Sequence, residues 1–212
     1  VLREGANDKA VTLQNLFNEI YLRDITKRNR VKNIGELEDL LNILSSSIGS
    51  LTNPEKLKNT FKTVKNTGIA VILDCGEFNE IHPKNKVPVG HRLYLQAMHH
   101  VYGDSETEAF GPIYKDMTVT GDRAVISFDH AESGFDIKGD NGITGFEVAG
   151  ADKEYKPACA VIDEDGTISV YADEVKKPVY VRYLWTNYGD VTLYGKNGIP
   201  VAPFRTSMND EK

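Results

Sequence analysis

Glu80 and His82 stand two residues apart in the polar run 76–88, just past a short apolar stretch. A histidine titrates near neutral pH, so it can take a proton from a hydroxyl and later return it. A carboxylate bonded to its other ring nitrogen would fix the tautomer and stabilise the imidazolium, and Glu80 is the nearest acid. Pro83 restricts His82 to extended backbone, which limits where its ring can swing. The chemistry on offer is general base catalysis with a carboxylate orienter. A polar loop with one histidine is also an ordinary surface loop, and the spacing alone does not separate the two readings.

The other chemistry-bearing residues form weaker patterns. His99 and His100 are adjacent, and neighbours on a helix point about 100° apart, so they do not converge on one metal. Cations near the negative end of a helix are the expected role. His130, after Phe128 and Asp129, reads as a structural or surface histidine. Trp185 with Tyr180, Tyr183, Tyr188 and Tyr194 could offer aromatic faces to a sugar ring. Aromatics in strand patterns usually fill a core, and that is the role expected of them here. Asp163, Glu164 and Asp165 lack the spacing of a calcium loop. Cys75 and Cys159 define neither a metal site nor a disulfide framework, and their apolar neighbours predict buried free thiols. No metal and no organic cofactor is implied.

The elements that must position these residues change character along the chain. Up to about Asn66 the pattern is helical. Leu13, Leu16, Phe17, Ile20 and Tyr21 share one helix face, and Leu37, Leu40, Leu41 and Leu44 another. Asn53-Pro54-Glu55 opens a third helix with a capping side chain, a first-turn proline and an acid. The continuous apolar run 68–74 then predicts a buried strand of a parallel sheet. The polar loop follows, and Val89, Leu93, Ala97, Met98 and Val101 predict a helix ending near Gly103. Beyond it, seven short apolar or alternating runs lie between turn signals such as Thr120-Gly121-Asp122 and Asp165-Gly166. Such a series predicts an antiparallel sandwich. The fold class is therefore α+β, with segments 1–65 (helical), 66–106 (strand, loop and helix from the end of an α/β sheet) and 107–212 (β-sandwich).

A chain of 212 residues with 40% hydrophobic and 26% charged residues can bury one large core or two small ones. The net charge of −6 disfavours nucleic acid as a partner. The basic run with Lys27, Arg28, Arg30 and Lys32 reads as a solvated helix end. No apolar run approaches the roughly 20 residues that span a membrane, and no signal-peptide pattern occurs. A start at Val1 rather than Met suggests a chain that begins partway through a longer protein.

The run Gly68-Ile-Ala-Val-Ile-Leu-Asp-Cys-Gly-Glu-Phe-Asn-Glu-Ile-His-Pro-Lys-Asn-Lys86, followed by Val89-Gly90-His91-Arg92-Leu93, resembles the final catalytic block of the sialate O-acetylesterases, which are SGNH hydrolases. The resemblance continues through Gly111-Pro112-Ile113-Tyr114, Ser127-Phe128-Asp129-His130, 145–152, Val181-Arg182-Tyr183-Leu184-Trp185 and Pro203-Phe204-Arg205-Thr206, covering residues 66–206. It implies a serine ester hydrolase that removes O-acetyl groups from sialic acid or a related sugar. His82 takes the place of the catalytic base, and 107–206 that of an accessory β-sandwich. Two departures accompany it. Asn79 stands where many SGNH hydrolases carry the triad aspartate, leaving Glu80 as the acid beside His82. The Gly-Gln-Ser-Asn-like run that holds the family's nucleophile is absent, and so are the glycine and asparagine donors of its oxyanion hole. Ser45, Ser46, Ser47 and Ser50 lack the glycine-framed turn a nucleophile needs. The isolated chain is expected to be close to inactive, with the missing N-terminal catalytic portion as a partner.

Residues 14–65 resemble instead the C-terminal helical region of a bacterial AAA-type ATPase family, through Leu16-Phe17-Asn18-Glu19-Ile20-Tyr21-Leu22-Arg23-Asp24-Ile25, Glu36-Leu37-Glu38-Asp39-Leu40-Leu41 and Ser46–Pro54. No phosphate-loop motif occurs in the chain, so no nucleotide site is assigned. The esterase resemblance implies a periplasmic or secreted protein and the ATPase resemblance a cytosolic one, which leaves the compartment open. The alternative to a hydrolase fragment is a non-catalytic carbohydrate-binding or protein-interaction module.

Overall fold

The computed structural model describes residues 68–80 and 82–207. The helices expected before Asn66, the basic run and the AAA-like stretch lie outside the described residues.

The expected strand at 68–74 does not form. Residues 68–72 carry no regular structure, and Leu73–Cys75 make a single 3-10 turn. A buried parallel strand exists only when neighbours take up its backbone N–H and C=O groups, and no described strand pairs with this segment. Its apolar residues Ile72 and Leu73 are consequently exposed.

The helix forms as expected, as α1 over Val87–His100. Pro88 sits in its first turn, and Asn85 Oδ1 accepts the Val87 N–H at 3.2 Å. Gly103, at φ +70°, lets the chain leave the helix end in a left-handed conformation. The buried face is not the apolar stripe. Arg92 and Gln96 are buried, whereas Leu93 is 57% exposed and Tyr94 and Val101 are also exposed. The hydrogen bonds of α1 explain this. Gln96 Nε2 donates to the Ala109 carbonyl at 2.6 Å and Arg92 reaches the 3-10 turn, so the polar edge faces the rest of the molecule.

The β-rich part has ten strands among the described residues: β1 (Ile113–Thr120), β2 (Arg123–Asp129), β3 (Phe135–Ile137), β4 (Phe146–Ala149), β5 (Lys156–Pro157), β6 (Cys159–Ile162), β7 (Ile168–Tyr171), β8 (Tyr180–Tyr183), β9 (Leu193–Gly195) and β10 (Phe204–Arg205). They form two four-stranded sheets, β1-β2-β7-β6 and β10-β8-β4-β5, and a two-stranded pair, β3-β9. Every pairing is antiparallel. The seven runs expected from the sequence each fall on or overlap a strand. β3, β5 and β10 were not expected, being only two or three residues long and too short to show an alternation of their own.

Period-two alternation places one face of each large sheet in a common core. Ala124 and Ile126 of β2, Ile168 and Val170 of β7, Phe146 and Val148 of β4, and Val181 and Tyr183 of β8 meet there with Phe204. Burying each of the larger aliphatic side chains contributes about 1.5–3 kcal/mol. Phe204 lies at the centre of the aromatic packing, stacked on Tyr114 with centroids 4.7 Å apart and edge-on to Phe128 and Phe146.

Two sequence expectations change here. Cys159 is exposed, not buried, because β6 is an edge strand whose alternation turns Cys159 and Val161 outward. Cys75 is half-buried, and burial together with the nearby Asp74 charge pushes its thiol up. The acids at 163–165 serve their own turn. Asp163 accepts the Ser169 hydroxyl at 2.7 Å, and Asp165 accepts the Thr167 N–H at 3.0 Å.

Candidate functional site

His82 is exposed, in the loop between the 3-10 turn and α1. Local bonds shape that loop. Glu77 and Glu80 form an isolated antiparallel bridge, and the Glu80 N–H donates to the Glu77 carbonyl at 3.3 Å. Glu80 Oε1 accepts the backbone N–H of His82 at 3.0 Å. The carboxylate therefore fixes the main chain of His82. The contact recorded between the two residues is to the amide and not to the imidazole. Lys84 Nζ pairs with Glu77 Oε2 at 2.7 Å, and that hydrogen bond holds the Glu77 carboxyl below its usual range. Lys86 Nζ donates to the Pro83 carbonyl at 3.1 Å.

The base of the loop is tied down more firmly. Arg92 makes two hydrogen bonds to the Asp74 carboxylate, one from Nη2 at 2.8 Å, and Nη1 also donates to the Val71 carbonyl at 2.9 Å. The side chains are only 8% and 18% exposed, so water screens this fork-to-fork pair little. Burial raises the Asp74 carboxyl, but the Arg92 guanidinium outweighs it and the net shift is downward. The Tyr194 hydroxyl of β9 donates to Asp74 Oδ2 at 3.4 Å. Burial and the Asp74 charge push that phenol up to about 12. Lys138 Nζ lies 3.6 Å from the centroid of the same ring. One cluster thus joins the turn before the loop, the helix after it and a strand of the β-rich part.

Beside the loop lies a cleft of about 430 Å³. One wall is the His82 loop, with Glu77, Phe78 and Glu80, and the other is the 184–191 loop that follows β8. Phe78 is 75% exposed and Tyr188 48% exposed, and the two rings meet edge to face with centroids 5.5 Å apart. The far wall bends sharply. Leu184 has φ +45°, and its side chain lies against Gly145, where a Cβ would come within 2.6 Å of Leu184 Cδ2. Only glycine fits at position 145.

The aromatic set splits. Tyr183, Trp185 and Tyr194 are buried as expected, Tyr180 is only half-buried, and Tyr188 lines the cleft. Phe78 was visible in the sequence only as an apolar residue in a polar run, which is the signal that could have marked it. His99 and His100 stand in the last turn of α1, as expected. Both rings pack edge-on to Phe110, which also stacks on His130 with centroids 4.6 Å apart. Burial, then the neighbouring His99, pushes the His100 imidazole down. His99, Phe110 and His130 line a second depression of about 190 Å³, with Glu108 and Glu132. Among the described residues no three His, Cys, Asp or Glu side chains are grouped to hold a metal. No described helix is long and apolar enough to cross a membrane.

The α+β chain has counterparts among known proteins. A carbohydrate acetylesterase from Xanthomonas citri, known from its crystal structure, matches 73% of this chain with 40% sequence identity and a TM-score of 0.67. The sialate O-acetylesterases of Pongo abelii and Homo sapiens are 26% and 25% identical to it over 180 residues, or 79% of the chain. The chain spans about a third of the length of each, 35% of the Xanthomonas protein and 32% of the two others. These similarities support an esterase relationship and a carbohydrate acetylesterase-like fold. Residues 1–74 match a family described as a domain of unknown function (DUF8612).

Proposed function

We propose that the chain is the base-bearing part of a serine ester hydrolase that removes O-acetyl groups from sialic acid or a related carbohydrate. The observation that supports this reading is the exposed His82, in a loop fixed at both ends whose Glu77, Phe78 and Glu80 line a cleft, in a chain similar to a carbohydrate acetylesterase. His82 would take the proton of a serine hydroxyl as that oxygen attacks the acetyl carbonyl. It would then return the proton to the departing sugar oxygen, and in the second half activate water against the acetyl-serine. Glu80 would act by holding the main chain of His82.

The nucleophile and the oxyanion donors would come from a separate N-terminal catalytic portion, since the 212 residues contain no Gly-Gln-Ser-Asn-like run. The exposure of Ile72, Leu73, Leu93 and Val101 supports such a partner, which would cover them. Segments 1–65, 66–106 and 107–212 would then be a helical segment, a C-terminal piece of the hydrolase domain carrying the His82 loop, and a β-sandwich. The AAA-type resemblance read in residues 14–65 would bring no catalytic group to this reaction.

The test is complementation. The part of the Xanthomonas esterase that has no counterpart here is mixed with this chain, and p-nitrophenyl acetate hydrolysis is followed. The mixture should turn over the ester and the chain alone should not. His82→Ala should lower the rate of the mixture by about three orders of magnitude or more. Equal rates with and without His82 would favour the second reading, a non-catalytic carbohydrate-binding or interaction module, which the missing nucleophile run also supports.

A further inference from the structure

The cleft between the His82 loop and the 184–191 loop has a shape and lining that general base catalysis does not require. We propose that Phe78 and Tyr188 form an aromatic corner that receives the sugar ring and sets which acetylated sugar is accepted. This rests on the esterase reading for the ligand's chemical class, but the site is built from contacts independent of His82.

Two aromatic rings meeting at 79° present two faces at nearly a right angle. The axial C–H groups of a pyranose carry partial positive charge and suit the negative face of an aromatic ring. Both rings are well exposed although each is large and apolar, a costly arrangement for side chains with no partner to cover them. The cleft volume of about 430 Å³ falls in the range of small-molecule sites, and the lining is mixed as such sites are. Glu77 and Glu80 supply acceptor-only oxygens to which sugar hydroxyls can donate, and Asn187 and Thr186 supply groups that both donate and accept.

Position completes the argument. Glu80 lines the cleft and also holds the His82 amide, so the histidine lies within about 7 Å of backbone from the cleft rim. The wall carrying Tyr188 belongs to the β-rich part, so that part contributes directly to ligand selection. The strained turn at Leu184 and the close approach of Gly145 keep this wall in place.

The experiment is a binding titration of the full chain followed by NMR, which requires no turnover. Two probes are used, a neutral methyl glycoside with one O-acetyl group and O-acetyl-N-acetylneuraminate. At least one probe should bind, and Tyr188→Ala or Phe78→Ala should weaken it about tenfold each. Tyr188→Phe keeps the ring face and should bind within a factor of about two of the parent. Thermal melting of each variant confirms that the fold persists. Binding unchanged by both alanine substitutions, or no binding of either probe, would overturn the proposal. If binding behaves as expected while the complementation assay stays silent, the hydrolase reading fails and the sugar site stands.

Discussion

At the scale of single residues, Glu80 and Asp74 support the loop in different ways. Glu80 Oε1 accepts a backbone N–H, a role that a glutamine carbonyl can also fill. Glu80→Gln should therefore leave the rate of the complemented enzyme within about threefold if the acid only holds the loop. A fall of about a hundredfold in kcat with KM unchanged would assign it to the imidazole. Asp74→Asn strands the Arg92 guanidinium in a largely buried setting and should cost about 3 kcal/mol, read from urea unfolding at pH 7. The pH dependence follows from the direction of each shift. The Asp74 carboxyl is lowered in the fold, so its stabilisation is present above its ordinary value of 3.8 and is lost as pH falls through the folded value. The Tyr194 phenol is raised, so its contribution is complete below 10.0 and is lost as pH rises through about 12. Asp74→Asn should flatten the acid limb of the stability profile measured by denaturant titration.

At the scale of elements, the β-rich part is where local pattern and tertiary context agree. Ala124 and Ile126 alternate with outward residues on β2 and are fully buried. Ile126→Ala should lower stability by about 2–5 kcal/mol in chemical denaturation. The antiparallel strands and α1 were legible because each carries its own periodicity and turn residues. The run 68–74 was misread because an apolar stretch announces burial without saying which neighbour will bury it. A strand closed by partners from elsewhere is written only half in its own residues. The polar side of α1 escaped for a related reason. Arg92 and Gln96 are buried by specific hydrogen-bonded partners, Asp74 and the Ala109 carbonyl, which periodicity does not encode. Of the candidate site, His82 and Glu80 were legible from residue type and spacing. The cleft was not, because Phe78 and Tyr188 are 110 positions apart and meet only when the β-rich part folds back on the loop.

For the described residues as a whole, the loop, the helix and the β-rich part meet at the cluster of Asp74, Arg92 and Tyr194. The described residues carry one well-filled core between the two large sheets and a thinner strand-less region before α1. Their dependence on each other runs through Tyr194, whose hydroxyl reaches the carboxylate that Arg92 grips. The sandwich is in that sense a mooring post for the His82 loop: shorten the polypeptide ahead of β9 and the turn before that loop loses a tether. A chain trimmed of those last strands would keep His82 but lose the phenol that reaches the carboxylate beneath its loop.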